Sequence, residues 1–345
     1  MRKSKKSKAV TQQNLEESRE EILAKGKKFR YPFQYAKHRL VIITVLISVV
    51  AIATFGFIGW LQLYRFQNTS DVVYRFTKVL GLSAADVDGA AVRYSDYLML
   101  YRSSIKSVER QQGTLDDSED SARLKDYYKR QALSNAEDYS YAMKKLEEMG
   151  KPVTDEEVDK VVEEHKTIDG EVRSDEAFAG IIRNNFGLDI NEYRRMVRLS
   201  LAKRNYSAII DNEANKIADE ISETLKTDKN LASISEKYKG NEIFSFESLS
   251  EMVDASNLDS GRASTAFQLK EVGDVSEKFL SKNGDGYYFV KLTDRADGGV
   301  KYDSIQVRFT EFDKIMSKFR EEGKVHEYIE IDAGDQAAES SDGEK

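Results

Sequence analysis

The sequence contains no cysteine, only two prolines and only three histidines in 345 residues. Without cysteine the chain forms no disulfide, performs no thiol chemistry and offers no thiolate to a metal. His38, His165 and His326 have no partner at the spacing of a metal site, so we expect surface histidines and neither a metal nor another cofactor. The scarcity of proline, together with long tracts rich in Glu, Lys, Ala and Leu, predicts a mostly helical α+β chain.

The longest uncharged stretch, residues 40–64, predicts a transmembrane helix. Its 25 residues exceed the roughly 20 apolar residues that cross a hydrocarbon core. Residues 1–39 contain twelve Lys and Arg against four Glu, whereas residues 66–345 contain 40 basic and 56 acidic residues. The positive-inside rule then predicts a cytoplasmic N-terminus and an extracytoplasmic remainder. Because the apolar run is too long for a signal peptide and no small-residue cleavage site follows it, we expect a single-pass plasma-membrane anchor in contact with lipid.

The composition along the chain predicts its domain organisation. The acidic balance of the exterior part argues against nucleic acid as a partner. We expect five parts: a cytoplasmic basic tail (1–39), the transmembrane helix (40–64), a helical domain (66–211), a small α+β domain with a closing helix (212–330) and a disordered acidic tail (331–345).

Local signals predict the elements of the helical domain. The sequence VDG at 87–89 predicts a turn into a short strand, after which Ser95 is positioned to cap a helix. A long helix is expected over 123–149, and Thr154 with Glu157 forms a capping-box pattern that opens the next one. Asn191 is expected to cap the last helix.

The part after residue 211 has a different pattern. After a helix at 213–226, short apolar runs alternate with turn residues, which favours strands at 266–269, 287–292 and 304–309. Residues 311–330 are expected to form the closing helix.

Several segments of the helical part resemble the exported or membrane-anchored chaperone-foldases of the SurA, PrsA and PpiD type. They are VDG at 87–89, YSDY at 94–97, VTDEEV at 153–158, FGL at 186–188 and EYR at 192–194. The resemblance implies a chaperone domain that binds unfolded, newly exported polypeptides, with the secretion machinery as a further candidate partner. Tyr94, Tyr97 and Tyr101 could supply amphipathic contact area for such clients, or they could pack a helical core.

The C-terminal part resembles a parvulin-type peptidyl-prolyl isomerase. The similar segments are NLASISEKY at 230–238, AFQLKEVGDVS at 266–276 and GYYFVKL at 286–292. The family's two active-site histidines are absent: Tyr288 stands at one position, and the strand that would carry the other does not precede residue 213. We hypothesise that 304–309 pairs beside 287–292 and fills the vacant slot, with Ser304 at the first histidine position.

An isomerase-like domain needs an apolar proline pocket rather than a nucleophile, because the barrier of about 18–20 kcal/mol comes from amide resonance. Met252, Phe267 and Leu269 are candidates for lining it, with Tyr288 and Ser304 supplying hydroxyls, although all five could be ordinary packing residues. Three functions follow: a chaperone whose isomerase-like domain is weak or inactive, an active isomerase with an altered site, or a structural adaptor of an envelope complex.

Overall fold

The computed structural model divides the chain into two units, one ending at Phe66 and the other beginning at Gln67. The residues that the structure describes are 15–23, 35–116, 118–168, 171–254, 257, 259–296 and 298–331. The basic tail expected at 1–39 lies partly outside these ranges, and the acidic tail expected at 331–345 lies outside them except for Ile331.

The first unit contains two helices. Residues 15–23 form helix α1. Helix α2 (Tyr35–Trp60) continues into a π-helical turn at Leu61–Arg65. Within these elements, the 27-residue stretch Arg39–Arg65 is long and apolar enough to cross a membrane, and none of its most apolar window is buried by protein. The helix predicted at 40–64 is therefore present.

The second unit begins with helices that hold two small β-ladders. The helices are α3 (Asp71–Leu80), α4 (Tyr94–Gln112), α5 (Glu119–Glu148), α6 (Asp155–Lys166), α7 (Asp175–Phe186) and α8 (Ile190–Ile210). The strands among them are β1 (Ser83–Val87), β2 (Ala90–Arg93), β3 (Thr167–Ile168) and β4 (Glu171–Val172).

Side-chain caps set several of these helix starts. Thr154 and Glu157 form the predicted capping box at α6, so that prediction is confirmed. At α8 the cap is Asp189 and not Asn191, because the Asp189 carboxylate accepts the backbone N–H groups of residues 191 and 192. Helix α4 begins at Tyr94, one residue before the predicted cap at Ser95, because strand β2 ends at Arg93 and runs directly into the helix.

The chain then forms an α+β segment. Its elements are α9 (Asn212–Leu225), α10 (Leu231–Lys237), β5 (Phe244–Ser248), α11 (Arg262–Gln268), β6 (Phe279–Leu280), β7 (Gly286–Ala296) and β8 (Gly299–Arg308). The strands form an antiparallel sheet in the order β5-β8-β7-β6. The expected pairing of 304–309 with 287–292 is confirmed, with Val290 opposite Ser304.

The prediction of a strand at 266–269 is wrong, because residues 266–268 belong to helix α11 and Leu269 is its C-cap. The helix packs Ala263 and Ala266 against the sheet, and the Asp259 carboxylate accepts the N–H of Ala263 at 2.9 and 3.0 Å. An apolar run of four residues does not distinguish a strand from one face of a helix.

The closing helix predicted at 311–330 is also shorter than expected. Helix α12 (Glu311–Glu321) is followed by strand β9 (Val325–Glu327), which pairs with β1 to give the sheet order β2-β1-β9. Asp211 fixes the start of α12, since its carboxylate accepts the N–H groups of Thr310 and Glu311 at 2.7 and 3.1 Å. The last described residues therefore pack on the helical part.

We name two lobes by these contacts: the helical lobe (67–211 and 310–331) and the sheet lobe (212–309). In the sheet lobe, one face of the sheet packs Phe289, Ile305 and Val307 against α9 and α10. The other face packs Val290 and Tyr302 against α11. The fold class is the predicted mostly helical α+β.

Candidate functional site

The tyrosines considered for client contact lie inside the helical lobe. Tyr94 and Tyr97 are fully buried on α4 with their rings edge to face, 5.5 Å between centroids, and Tyr101 is 6% exposed. Burial raises the pKa of Tyr101 to about 12, so its hydroxyl stays protonated at neutral pH. These side chains pack the core, and a client would reach them only if the helices separated.

Four of the five candidate pocket residues share the α11 face of the sheet. Phe267 and Leu269 pack beside the apolar cluster of Val290 and Tyr302, and Ser304 is the cross-strand partner of Val290. Tyr288, two residues before Val290, projects from the same face. The fifth candidate, Met252, lies beside Gly299 at the β7–β8 turn.

Arg262, which the sequence did not indicate, links the polar members of this group. Its guanidinium carbon lies 5.4 Å from the centroid of the Tyr288 ring and 5.9 Å from that of Tyr302. It donates a hydrogen bond of 3.3 Å to the Ser304 hydroxyl and forms an ion pair with Glu247. No local pattern marks Arg262, because its partners are brought together only by sheet pairing.

The two candidate hydroxyls are already engaged. Ser304 accepts from Arg262, and the Tyr288 hydroxyl donates to Asp285 at 3.2 Å. Gln306 donates to the same carboxylate at 3.0 Å. Burial, and next the nearby Asp285 charge, raise the pKa of Tyr288 to about 12. At neutral pH Tyr288 is therefore a neutral hydrogen-bond donor and not a base.

A cleft of about 570 Å³ lies where α8, the sheet lobe and the start of α12 meet. Its wall includes the rings of Tyr139, Phe309 and Phe312 and the guanidinium groups of Arg204 and Arg308. The same cleft is lined by Asp285, so it adjoins the hydrogen bonds of Tyr288 and Gln306. Its volume is within the range of small-molecule and cofactor pockets, roughly 300–1,000 Å³.

The histidines do not form a site of their own within the described ranges. The Nδ1 atom of His165 lies 2.7 Å from the Tyr193 hydroxyl. His326 lies on strand β9, and not in the helical surroundings expected for it, with Asp86 as its ladder partner. In the part of the chain that the structure describes, no three His, Asp or Glu side chains gather as metal ligands.

Comparison with known families identifies the N-terminal half. Residues 33–207 match the model of the SurA-like N-terminal domain. The protein belongs to this family. The SurA-like match takes in the apolar helix and all helices from α3 to α7, and it ends within α8. No curated protein and no solved structure matches the chain.

Membership in the SurA-like family supports a chaperone-type function of the SurA/PpiD kind. The family is associated with the cell envelope, and the apolar helix near the N-terminus has the length of a membrane anchor or a signal sequence. The sheet lobe and the cleft wall after residue 207 lie outside the matched residues.

Proposed function

We propose that this protein is a chaperone held in the plasma membrane by residues 40–64, with residues 66–345 outside, where it binds newly translocated unfolded polypeptides. The proposal rests on one observation: a SurA-like domain is joined to an apolar helix whose most apolar segment is not buried by protein. The change from a basic N-terminal tail to an acidic remainder supports the orientation. The anchor would keep the chaperone where exported chains emerge, next to the secretion machinery.

We assign client binding to the 570 Å³ cleft. An unfolded segment presents apolar side chains together with unpaired backbone N–H and C=O groups. The cleft offers rings for the former and charged donors and acceptors such as Arg308 and Glu242 for the latter. This mixture suits clients of varied sequence, since backbone groups are common to all of them.

The chaperone assignment is tested with the full chain in lipid nanodiscs and an aggregating unfolded client. Ser200 lines the cleft and is exposed, and the chain has no natural cysteine, so Ser200→Cys takes a bulky maleimide at one position. We expect wild type to suppress light scattering and the Ser200 adduct to lose most of the effect. Val172→Cys, on an exposed strand, is the matched control and should retain it.

Absence of suppression by wild type at several-fold excess would contradict the chaperone proposal and favour the adaptor. Equal suppression by the Ser200 and Val172 adducts would show that the client site lies elsewhere.

Orientation is tested with a membrane-impermeant maleimide on intact spheroplasts. We expect Val172→Cys to react and Ser4→Cys to react only after permeabilisation, and the reverse pattern would overturn the topology.

We further propose that the sheet lobe (212–309) is a parvulin-like module with its strands in a changed chain order. The sheet order β5-β8-β7-β6 supports this, because β8 lies in the centre beside β7 although it comes last in the lobe. In this interpretation β8 takes the place of the missing first strand, and Ser304 and Tyr288 occupy the two histidine positions. Both are engaged within the lobe, so we expect weak isomerase activity or none.

One observation favours the altered-site isomerase as a second candidate. Arg262, the first residue of α11, places a cation beside the Tyr288 ring, where a prolyl peptide carbonyl could accept its hydrogen bond. A proline-peptide isomerisation assay on the full chain distinguishes the two. Turnover that is lost in Phe267→Ala and Arg262→Gln but kept in the exposed control Val272→Ala would establish the enzyme, and absence of turnover in wild type would exclude it.

A further inference from the structure

Helix α3 carries an apolar stripe on its outward side. Val72, Phe76, Val79 and Leu80 are 78%, 54%, 84% and 50% exposed. At about 100° per residue they fall within an arc of about 100°, opposite the buried Tyr74. Scattered exposed apolar residues are ordinary, but four on one side of a ten-residue helix form a contiguous patch.

The stripe is held outward by the opposite side of the helix. The Tyr74 hydroxyl donates to Glu192 of α8 at 2.8 Å, and Lys78 forms an ion pair of 3.0 Å with the same carboxylate. The guanidinium of Arg102 on α4 lies 4.5 Å from the Tyr74 ring centroid and pairs with Asp71. Turning the stripe inward would break all four contacts, so its exposure is built into the fold.

The position of α3 in the chain limits what can cover the stripe. The apolar helix ends at Arg65, and only residues 66–70 separate it from Asp71. Five residues reach at most roughly 20 Å when fully extended. If the apolar helix crosses a bilayer, the first residue of α3 therefore lies within roughly 20 Å of the end of that helix, close to the headgroup layer.

The chemistry of α3 fits a lipid interface. Helices that lie in the headgroup region have an apolar side with Phe or Leu and basic residues beside it. Phe76 and Leu80 supply the first, and the exposed Arg75 lies at the border of the stripe, where anionic headgroups would attract it.

We propose that α3 lies on the outer surface of the membrane, with Val72, Phe76, Val79 and Leu80 at the boundary between headgroups and acyl chains. This inference rests on the membrane anchor of the proposed function. It gives the helical lobe a second attachment to the bilayer besides the spanning helix.

The test uses the absence of cysteine from the chain. Full-length Val72→Cys and Val79→Cys variants carry an environment-sensitive fluorophore in vesicles of phosphatidylcholine and phosphatidylglycerol, with and without brominated lipid. Val172→Cys, which is similarly exposed at 72%, is the aqueous control, and Leu46→Cys in the apolar helix is the lipid control. We expect bromolipid to quench the labels at Val72 and Val79 several-fold more than the label at Val172.

Quenching at Leu46 without quenching at Val72 or Val79 would overturn the inference and leave the anchor intact. Absence of quenching at Leu46 would remove the anchor, and the inference with it. If the labels at Val72 and Val79 become shielded from water only after an unfolded client is added, the stripe is a client-binding surface. If the shielding of these labels increases with the density of protein in the vesicle, the stripe is a contact between two copies of the chain. Either result excludes lipid as the occupant of the stripe.

Discussion

The helical lobe and the sheet lobe differ in the number of carboxylates that they bury. The helical lobe encloses carboxylates: Asp96, Glu137 and Asp138 are 4%, 1% and 8% exposed. Asp96 is paired by Arg195 at 2.7 Å and Asp138 by Lys203 at 2.7 Å, whereas the ion pair of Glu137 with Arg320 is longer, at 3.4 Å. Among the described residues, the sheet lobe encloses one carboxylate, Asp259, which is 8% exposed and accepts hydrogen bonds from the Tyr302 hydroxyl and the Ala263 N–H. It otherwise buries mainly apolar side chains on both faces of its sheet, and the contacts of Arg262 with Ser304 and Tyr288 form a polar end on the α11 face.

This difference indicates which interactions determine the stability of each lobe. Buried carboxylates tie the stability of the helical lobe to pH and to the ion pairs that α12 and β9 bring from the end of the described chain. The sheet lobe should respond to loss of apolar volume and little to pH. Hydrogen exchange resolved by peptide measures the two lobes separately in one sample of the full chain.

The largest expected loss of stability comes from a substitution on the face of the sheet that packs against α9 and α10. Phe289 is fully buried between β8 and helices α9 and α10. Phe289→Ala should lower the free energy of opening of the sheet lobe by about 3–5 kcal/mol, because transfer and cavity terms add. We expect the loss of protection in β7 and β8 and little change in α4 or α5.

The control for this substitution is Val272→Ala in the same lobe, 59% exposed, which should change protection by less than about 0.5 kcal/mol. Equal loss of protection in both lobes after Phe289→Ala would show that they open as one unit and would remove the comparison.

The second effect is a pH dependence of the helical lobe. Burial, then the charge of Glu327, raises the pKa of Glu137 from 4.5 to about 7, against the opposing effect of Arg320. Because the folded-state pKa is the higher one, the stabilisation is complete below pH 4.5 and is lost as pH rises through 7. We expect the helical lobe to lose roughly 2–3 kcal/mol between pH 5 and pH 8.

Glu137→Gln should flatten that dependence, because the amide does not titrate. Glu321→Gln on the exposed side of α12 is the matched control and should keep the wild-type slope. Opposite behaviour, with stability rising from pH 5 to pH 8 in wild type, would show that Arg320 dominates and that Glu137 is buried as an anion.

Local signals in the sequence were sufficient for much of the fold. The Thr154–Glu157 cap is encoded within four residues, and the runs at 287–292 and 304–309 show the β-rich composition of the strands they form. The run at 266–269 was too short to distinguish a strand from a helix end. Strand β9 has three residues and forms only because β1, far away in the chain, offers its edge.

The candidate site was less predictable for the same reason. Tyr288 and Ser304 were identified by resemblance, and pairing of β7 with β8 does put them on one face of the sheet. Arg262 and Asp285, which hold their hydroxyls, contribute to the site through contacts between distant segments. The tyrosines of α4 have a helical spacing that fits both a core and a surface, and packing by α5 decided for the core.

The smallest expected effect tests the polar end of the sheet lobe. Ser304→Ala removes the 3.3 Å hydrogen bond from Arg262, which keeps its ion pair with Glu247, so protection of β8 should fall by about 0.5–1.5 kcal/mol. Ser245→Ala is the control on the edge strand, where a similar 3.3 Å bond to Gln306 is exposed and should matter less. If Ser304→Ala costs more than Phe289→Ala, the polar end supports the lobe as much as its apolar face does, and the contrast between the two lobes is lost.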